Sequence, residues 1–227
     1  MIKRTELFRL AGLILIGIVS SEEDPLEKFN RLVYGFNTVV DQSFSRPLAK
    51  AYRKIPEAFR EPVSNFFQNV GFPVRFCSLL LSGKGEAAAL ELTRFFFDST
   101  VGVAGLLKPS KDLGLELLNY DLDLTLKDWG VDTGPYIMLP LLGPSSLRAI
   151  VPTVASMSLN AWTSQLIDDP GIRAGLNSLN ALAARAELEP LIENAERMSF
   201  DTYIFIRNFY LAKRSIGGSL KEDNEDF

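Results

Sequence analysis

Two carboxylates and a guanidinium stand at a spacing that lets them act together: Glu91, Arg94 and Asp98 lie three and four residues apart. On a helix that spacing sets all three along one face, where they pair and neutralise one another. The rest of the chemical inventory argues against catalysis. The chain has no histidine and a single cysteine, Cys77. Ser-His-Asp and Cys-His nucleophiles, His-ligated zinc, intrachain disulfides and thiolate clusters are therefore excluded. Cys77 stands beside Phe76 and just before Leu79 to Leu81, which predicts a small buried hydrophobe. Gly83-Lys84-Gly85 resembles part of a phosphate loop but lacks the Gly-x-x-x-x-Gly-Lys-Ser/Thr pattern, so no nucleotide role is assigned. No Gly-x-Ser-x-Gly elbow marks a hydrolase. Neither a metal nor a cofactor is expected, and the chain reads as a non-enzyme.

A second stretch is unusual for what it lacks. Asp128 to Ser146 is rich in Pro and Gly, and from Thr133 to Ile167 the only formal charge is Arg148. Pro135, Pro140 and Pro144 each remove a backbone donor and break a helical ladder. Irregular uncharged backbone has to lie buried in protein or against a cavity. This segment is predicted to be a kinked apolar hub with the other elements packed around it.

Those elements follow from periodicity. Met1 to Ser21 reads as an export signal or an N-terminal anchor: Lys3, Arg4 and Arg9 precede the ten apolar residues Leu10 to Val19, too few to span a bilayer. Asp24-Pro25-Leu26-Glu27 predicts a helix start, with Asp24 as N-cap and Glu27 completing a capping box. Phe29, Leu32, Val33, Phe36 and Val40 then recur at helical spacing to about Ser43. Pro47 to Ile55 is a short basic helix. Pro56 and Pro62 break the next segment; Pro62 to Leu81 carries one charge, Arg75, and Gly71-Phe72-Pro73 bends it, as in a buried hairpin or a shallow re-entrant segment. Glu86 to Val101 is a helix apolar nearly all round. Lys108 to Asp128 is a polar connection in which Leu122, Leu124 and Leu126 alternate. Ser145 or Ser146 caps a helix broken at Pro152. Further helices are predicted over Ile172 to Glu189 and, opened by Pro190, Leu191 to Arg214.

The expected fold class is all-α, with no significant sheet. Residues 22–215 form one domain between the leader and an acidic tail, 216–227. The formal net charge is −4, and no basic patch sized for nucleic acid is present.

Ordered blocks along residues 24 to 214 resemble one family, the MlaA (VacJ) lipoproteins. They are Asp24-Pro25-Leu-Glu with Asn30-Arg31; Phe36-Asn37 and Asp41; Arg46-Pro47; Ser64-Asn65-Phe66-Phe67 with Asn69; and Gly83-Lys84. Then come Arg94-Phe95-Phe96; Ser99 to Gly102; Trp129-Gly130-Val131; Gly134-Pro135-Tyr136 through Leu139-Pro140; Gly143-Pro144-Ser145; and Tyr203 to Tyr210-Leu211. The resemblance implies a ring of amphipathic helices in the inner leaflet of the outer membrane, around a central channel. Mislocalised phospholipid would pass through it from the outer leaflet to a soluble periplasmic lipid carrier, with a trimeric porin as partner. The hub residues from Trp129 to Pro144 become candidates for the channel motif, and the earlier blocks for structural roles. Relatives carry an acylated cysteine after a lipobox. Here Ser21 stands at that place, and serine has no thiol for the thioether. Asp121 to Leu126 also departs from the family's Phe-Gly-Gln. The alternative is a structural adaptor that binds a porin or membrane surface and moves no lipid.

Overall fold

Helices dominate the computed structural model, which describes residues 24–164 and 168–216. The leader, with Ser21, and the acidic tail lie outside the described residues. The first helix, α1 (Glu27–Val40), is amphipathic as its spacing predicts, but the buried stripe holds Asn30 and Val33. The large apolar side chains face out: Phe29, Leu32, Phe36 and Val39 are each more than half exposed. Asp24 does not cap α1. It stands two residues before the cap position, Leu26, and its Oδ1 accepts from the Leu26 amide at 3.1 Å. Glu27 pairs with Arg31 at 2.7 Å instead of closing a capping box.

The predicted break near Ser43 is absent. A π-helical turn (Asp41–Ser45) carries α1 straight into α2 (Arg46–Arg53), with the Arg46 amide donating to Asp41 O. The widened turn makes room for the Pro47 ring, which would clash with a carbonyl in a tighter ladder. Pro62 and Pro190 also sit inside helices, not between them: α3 (Glu57–Val70) and α9 (Pro170–Met198) run through them. Each helix gives up one ladder hydrogen bond, and packing of α9 against α2 and α3 carries both past the proline. The break expected at Pro190 falls later, at Ser199, before α10 (Thr202–Ile216). There Asp201 Oδ1 accepts from the Ile204 amide at 3.2 Å.

Gly71 separates α3 from α4 (Phe72–Leu81). Cys77 is exposed, because the helical turn places Val74, Ser78 and Leu79 inward. Next, α5 (Gly85–Thr100) is inside out. It buries Ala88, Glu91, Arg94 and Asp98 and leaves Leu90, Leu92 and Phe96 exposed. After the one-turn α6 (Pro109–Asp112), the Leu122 to Leu126 stretch is helical (α7, Leu122–Asp128), where a polar connection was expected. Asp121 caps it, accepting from the Leu124 amide at 3.0 Å.

The hub is a β-hairpin. Strands β1 (Tyr136–Leu139) and β2 (Gly143–Ser146) pair antiparallel with Tyr136 opposite Ser146. They form the only sheet among the described residues, so the all-α class stands. The hub was expected to lie buried in protein or against a cavity; Leu141 and Leu142 at its tip are exposed. A three-residue tip needs left-handed backbone, which Leu141 (φ 63°) and Gly143 (φ 84°) provide. Helix α8 (Leu147–Ser164) follows directly, with Ser146 Oγ accepting from Ala149 N at 3.3 Å. It continues through Pro152, where a break was expected.

The apolar core is small and divided. One cluster joins Val33, Tyr136, Met138, Tyr203 and Tyr210; the other joins Leu79, Ala88, Tyr120 and Leu124. Among the described residues no helix is long and apolar enough to cross a membrane.

Candidate functional site

Two polar constructions stand out among the buried side chains. The first is a clamp of neutral amides. Asn30 sits one helical turn beyond Leu26 on the buried stripe of α1. Its Oδ1 accepts from the Met138 amide at 2.8 Å and its Nδ2 donates to Tyr136 O at 3.1 Å. Asn37, seven residues on, repeats the pattern: Leu141 N donates to Oδ1 at 2.8 Å, and Nδ2 donates to Leu139 O at 2.9 Å. Two turns of helix match the advance along the strand, so α1 serves the free edge of β1 as a third strand would. Tyr203 and Tyr210 from α10 close over Tyr136, with ring centroids 6.2 and 6.0 Å away. Burial pushes the Tyr136 phenol above its usual pKa, which keeps it neutral.

The second construction is ionic. Arg94 is 2 % exposed and donates to Glu91 at 2.8 Å and to Asp98 at 3.0 Å, as the spacing predicts. Arg75 of α4 joins Glu91 from the other side at 2.7 Å. Asp98 Oδ1 also accepts from the Ser110 amide at 3.2 Å. Arg148, the lone charge of the hub, finds buried Asp123 of α7 at 2.8 Å and donates to Val131 O at 2.8 Å. Arg214 of α10 donates to Asp121 at 2.6 Å and approaches Asp123 at 3.5 Å. Burial pulls the Arg75 guanidinium below its usual value, with Glu91 opposing. Burial also acts against the Arg214 charge, but Asp121 outweighs it and the group titrates higher than usual.

Four of these ionic groups, Arg75, Asp121, Asp123 and Arg214, stand in one wall of a cavity of about 370 Å³. Gly71, Val74 and Arg75 supply the α4 side, Tyr120 to Asp123 the α7 side, and Arg214 the α10 side. The opposite wall is α8, through Pro152, Thr153, Ser156 and Met157. Charge on one wall and apolar or hydroxyl groups on the other suit an amphiphile.

The family model described as MlaA lipoprotein matches residues 22–216. The chain belongs to the MlaA family. An intermembrane phospholipid transport system lipoprotein MlaA of Shigella flexneri is 30 % identical, over 96 % of this chain and 91 % of its own. The Escherichia coli protein of that name is 29 % identical over the same shares. An uncharacterised Rickettsia typhi protein is 29 % identical over 82 % of this chain and 74 % of its own. A structure solved in work on the structural basis for maintenance of bacterial outer membrane lipid asymmetry superposes with a TM-score of 0.71. It is 30 % identical and spans 85 % of this chain and 98 % of that one.

The MlaA-family blocks fall around the cavity more than in it. Trp129 is exposed and donates from Nε1 to Leu81 O at 3.0 Å, tying α7 to α4. Gly130 and Gly134 have φ of 83° and 67°, and a Cβ on Gly134 would meet Leu147 at 3.1 Å. Pro135 O accepts from Leu147 N at 3.0 Å. Tyr136, Leu139, Pro140, Gly143 and Pro144 build the hairpin, and none of these nine residues lines the cavity. Of the structural candidates, Asn30, Asn37 and Arg94 hold the two constructions. Asp24 accepts from Asn30 and from the Tyr203 hydroxyl. Pro25 and Phe36 are exposed. Arg31 reaches Asp201 at 2.7 Å and lies over the Tyr203 ring. Asn65 donates to Leu106 O at 3.3 Å. Phe66 packs edge-on to Phe67 at 5.3 Å, and Phe95 stacks on Phe72 at 4.0 Å. The cavity residues Arg75, Asp121, Asp123 and Arg214 were not singled out as a site. The available signal was the lone charge in an apolar run, which marks Arg75 and Arg148: such a charge requires a buried partner.

Proposed function

We propose that this chain is a non-enzymatic component of intermembrane phospholipid transport. It takes mislocalised phospholipid from the outer leaflet of the outer membrane and passes it to a soluble periplasmic carrier. The carrying observation is the inverted packing. Helices α1 and α5 turn Phe29, Leu32, Phe36, Leu90, Leu92 and Phe96 outward and bury Asn30, Glu91, Arg94 and Asp98, in a protein that also holds an amphipathic cavity. In water that arrangement forfeits burial worth about 25 cal/mol per Å² of apolar surface; against acyl chains it does not. The family names and the outer-membrane lipid-asymmetry structure support the same reading. Ring-like assembly of the helices around the cavity and a trimeric porin partner belong to this reading. So does a layout of leader 1–21, domain 22–215 and acidic tail. With Ser21 at the lipobox position, the apolar faces of the body hold the protein at the membrane.

The test is transfer of a labelled phospholipid between vesicles, with the full chain reconstituted in the donor membrane. Transfer above the protein-free rate is expected. Stable membrane binding with no transfer would overturn the reading in favour of an adaptor.

A further inference from the structure

Each arginine in the cavity wall is pinned and yet keeps a free donor. Arg75 spends Nε on Glu91 and Nη2 on Gln68 O at 2.5 Å, and Nη1 has no partner among the described residues. Arg214 spends Nη1 on Asp121 at 2.6 Å, and Nη2 has no partner among the described residues. A guanidinium fixed by part of its fork loses little further entropy when the remaining N–H groups bind.

Gly71 makes the Arg75 position available. A Cβ at residue 71 would stand 2.7 Å from Nη1, inside contact distance, and Gly71 itself lines the cavity. The φ of Gly71 is −71°, ordinary helical backbone, so the conformation does not demand glycine. Space for the Arg75 head does. The charged lining balances, with Arg75 and Arg214 against Asp121 and Asp123. An anion therefore meets directed donors without a large net attraction, which suits passage better than storage. At about 370 Å³ the cavity lies near the small end of ligand sites. It admits a headgroup and its first carbons, the latter against Val74, Leu122, Pro152 and Met157.

We propose that Arg75 and Arg214 form a transient subsite for the phosphodiester of a lipid headgroup, and that Gly71 keeps the Arg75 donor facing it. The inference rests on the transport reading above.

The test uses the full chain in nanodiscs, with dihexanoylphosphatidylethanolamine, dihexanoylglycerol and inorganic phosphate as separate soluble probes. Gly71→Ala keeps every charge while displacing Nη1; Arg214→Gln removes the second guanidinium. Wild type should bind the diester lipid, with dihexanoylglycerol and inorganic phosphate at least tenfold weaker. Each variant should weaken diester binding about tenfold, the loss of one charge-assisted hydrogen bond. An unchanged melting temperature of Gly71→Ala separates this loss from misfolding. Variants that bind like wild type, or dihexanoylglycerol binding equally well, overturn the subsite. Inorganic phosphate binding as tightly as the lipid makes this a free-anion site and overturns it too. Vesicle transfer on the same samples tells the two readings apart. Transfer by wild type with unimpaired variants removes the subsite alone; no transfer by wild type removes both.

Discussion

The amide clamp and the ionic lattice solve one problem by opposite means. Both must satisfy buried polar groups in a protein many of whose large apolar residues face outward. On the hairpin side, Asn30 and Asn37 each present one donor and one acceptor to the edge of β1. An amide fits only one register, because donor and acceptor are distinct. On the cavity side, Arg94, Arg75, Arg148 and Arg214 meet Glu91, Asp98, Asp121 and Asp123. Charges neutralise one another over a range of geometries, so this side fixes charge balance more than register. The difference teaches where each is needed. The hairpin is fixed in register, while the cavity wall keeps polar groups whose charges balance.

The largest expected effect comes from breaking the ionic side. Arg94→Leu leaves Glu91 with Arg75 alone and Asp98 with the Ser110 amide, both carboxylates buried. Losing one member of a buried ion cluster costs about 3–5 kcal/mol, enough to unfold a marginal domain. Denaturant titration reads it; a shift under about 1 kcal/mol would mean water reaches the cluster. Next is Asn30→Ala, which strands the Met138 amide and the Tyr136 carbonyl. At about 1–3 kcal/mol for each unpaired buried group, the cost approaches that of Arg94. Asn30→Asp, which aims a second acceptor at the Tyr136 carbonyl and the Asp24 carboxylate where wild type has a donor, should cost more than Asn30→Ala.

The sequence announced the ionic side better than the neutral one, for a physical reason. Glu91, Arg94 and Asp98 pair within one helix, so their contact is local and visible in spacing. Arg148 as the single charge between Thr133 and Ile167 signals a partner, though not that it is Asp123. The Asn30 and Asn37 contacts cross more than a hundred residues, and an asparagine in a helix carries no mark of its use. Helix identities were legible from periodicity; which side faces solvent was not. Periodicity separates two faces, and packing alone decides that Glu91 goes in and Phe96 goes out. Prolines misled at positions 62, 152 and 190, because tertiary packing outweighs the loss of one ladder hydrogen bond. The alternation of Leu122, Leu124 and Leu126 misled because an N-cap at Asp121 favours helix locally.

A smaller effect isolates the neutral side. Asn37 is half-exposed, so water replaces part of what Asn37→Ala removes, and about 1 kcal/mol is expected. The loss should concentrate at the tip. Hydrogen exchange of the Leu141 amide, which donates to Asn37, should speed up while the Met138 amide on Asn30 stays protected. Equal acceleration at both would show that the hairpin opens as a unit and that the two clamps are not separable.

The smallest effect tests whether an ion pair added to the hairpin side behaves like the lattice or like the clamp. Arg31 reaches across from α1 to Asp201 at 2.7 Å, and both side chains are more than a third exposed. The hydrogen bond from Arg31 holds the Asp201 carboxyl below its usual range. A depressed folded value means the stabilisation is fully present above the unfolded aspartate value of about 3.9 and fades as pH falls through the folded one. Exposed pairs contribute about 0.2–1 kcal/mol, so Asp201→Asn should lower the melting temperature slightly at pH 6. The gap should close below pH ~3.9 and shrink in high salt. The Asn37→Ala deficit, which involves only neutral partners, should stay constant over the same range. A gap for Asp201→Asn that persists at low pH would mean Asp201 acts through its α10 cap, where it accepts from the Ile204 amide, and not through charge.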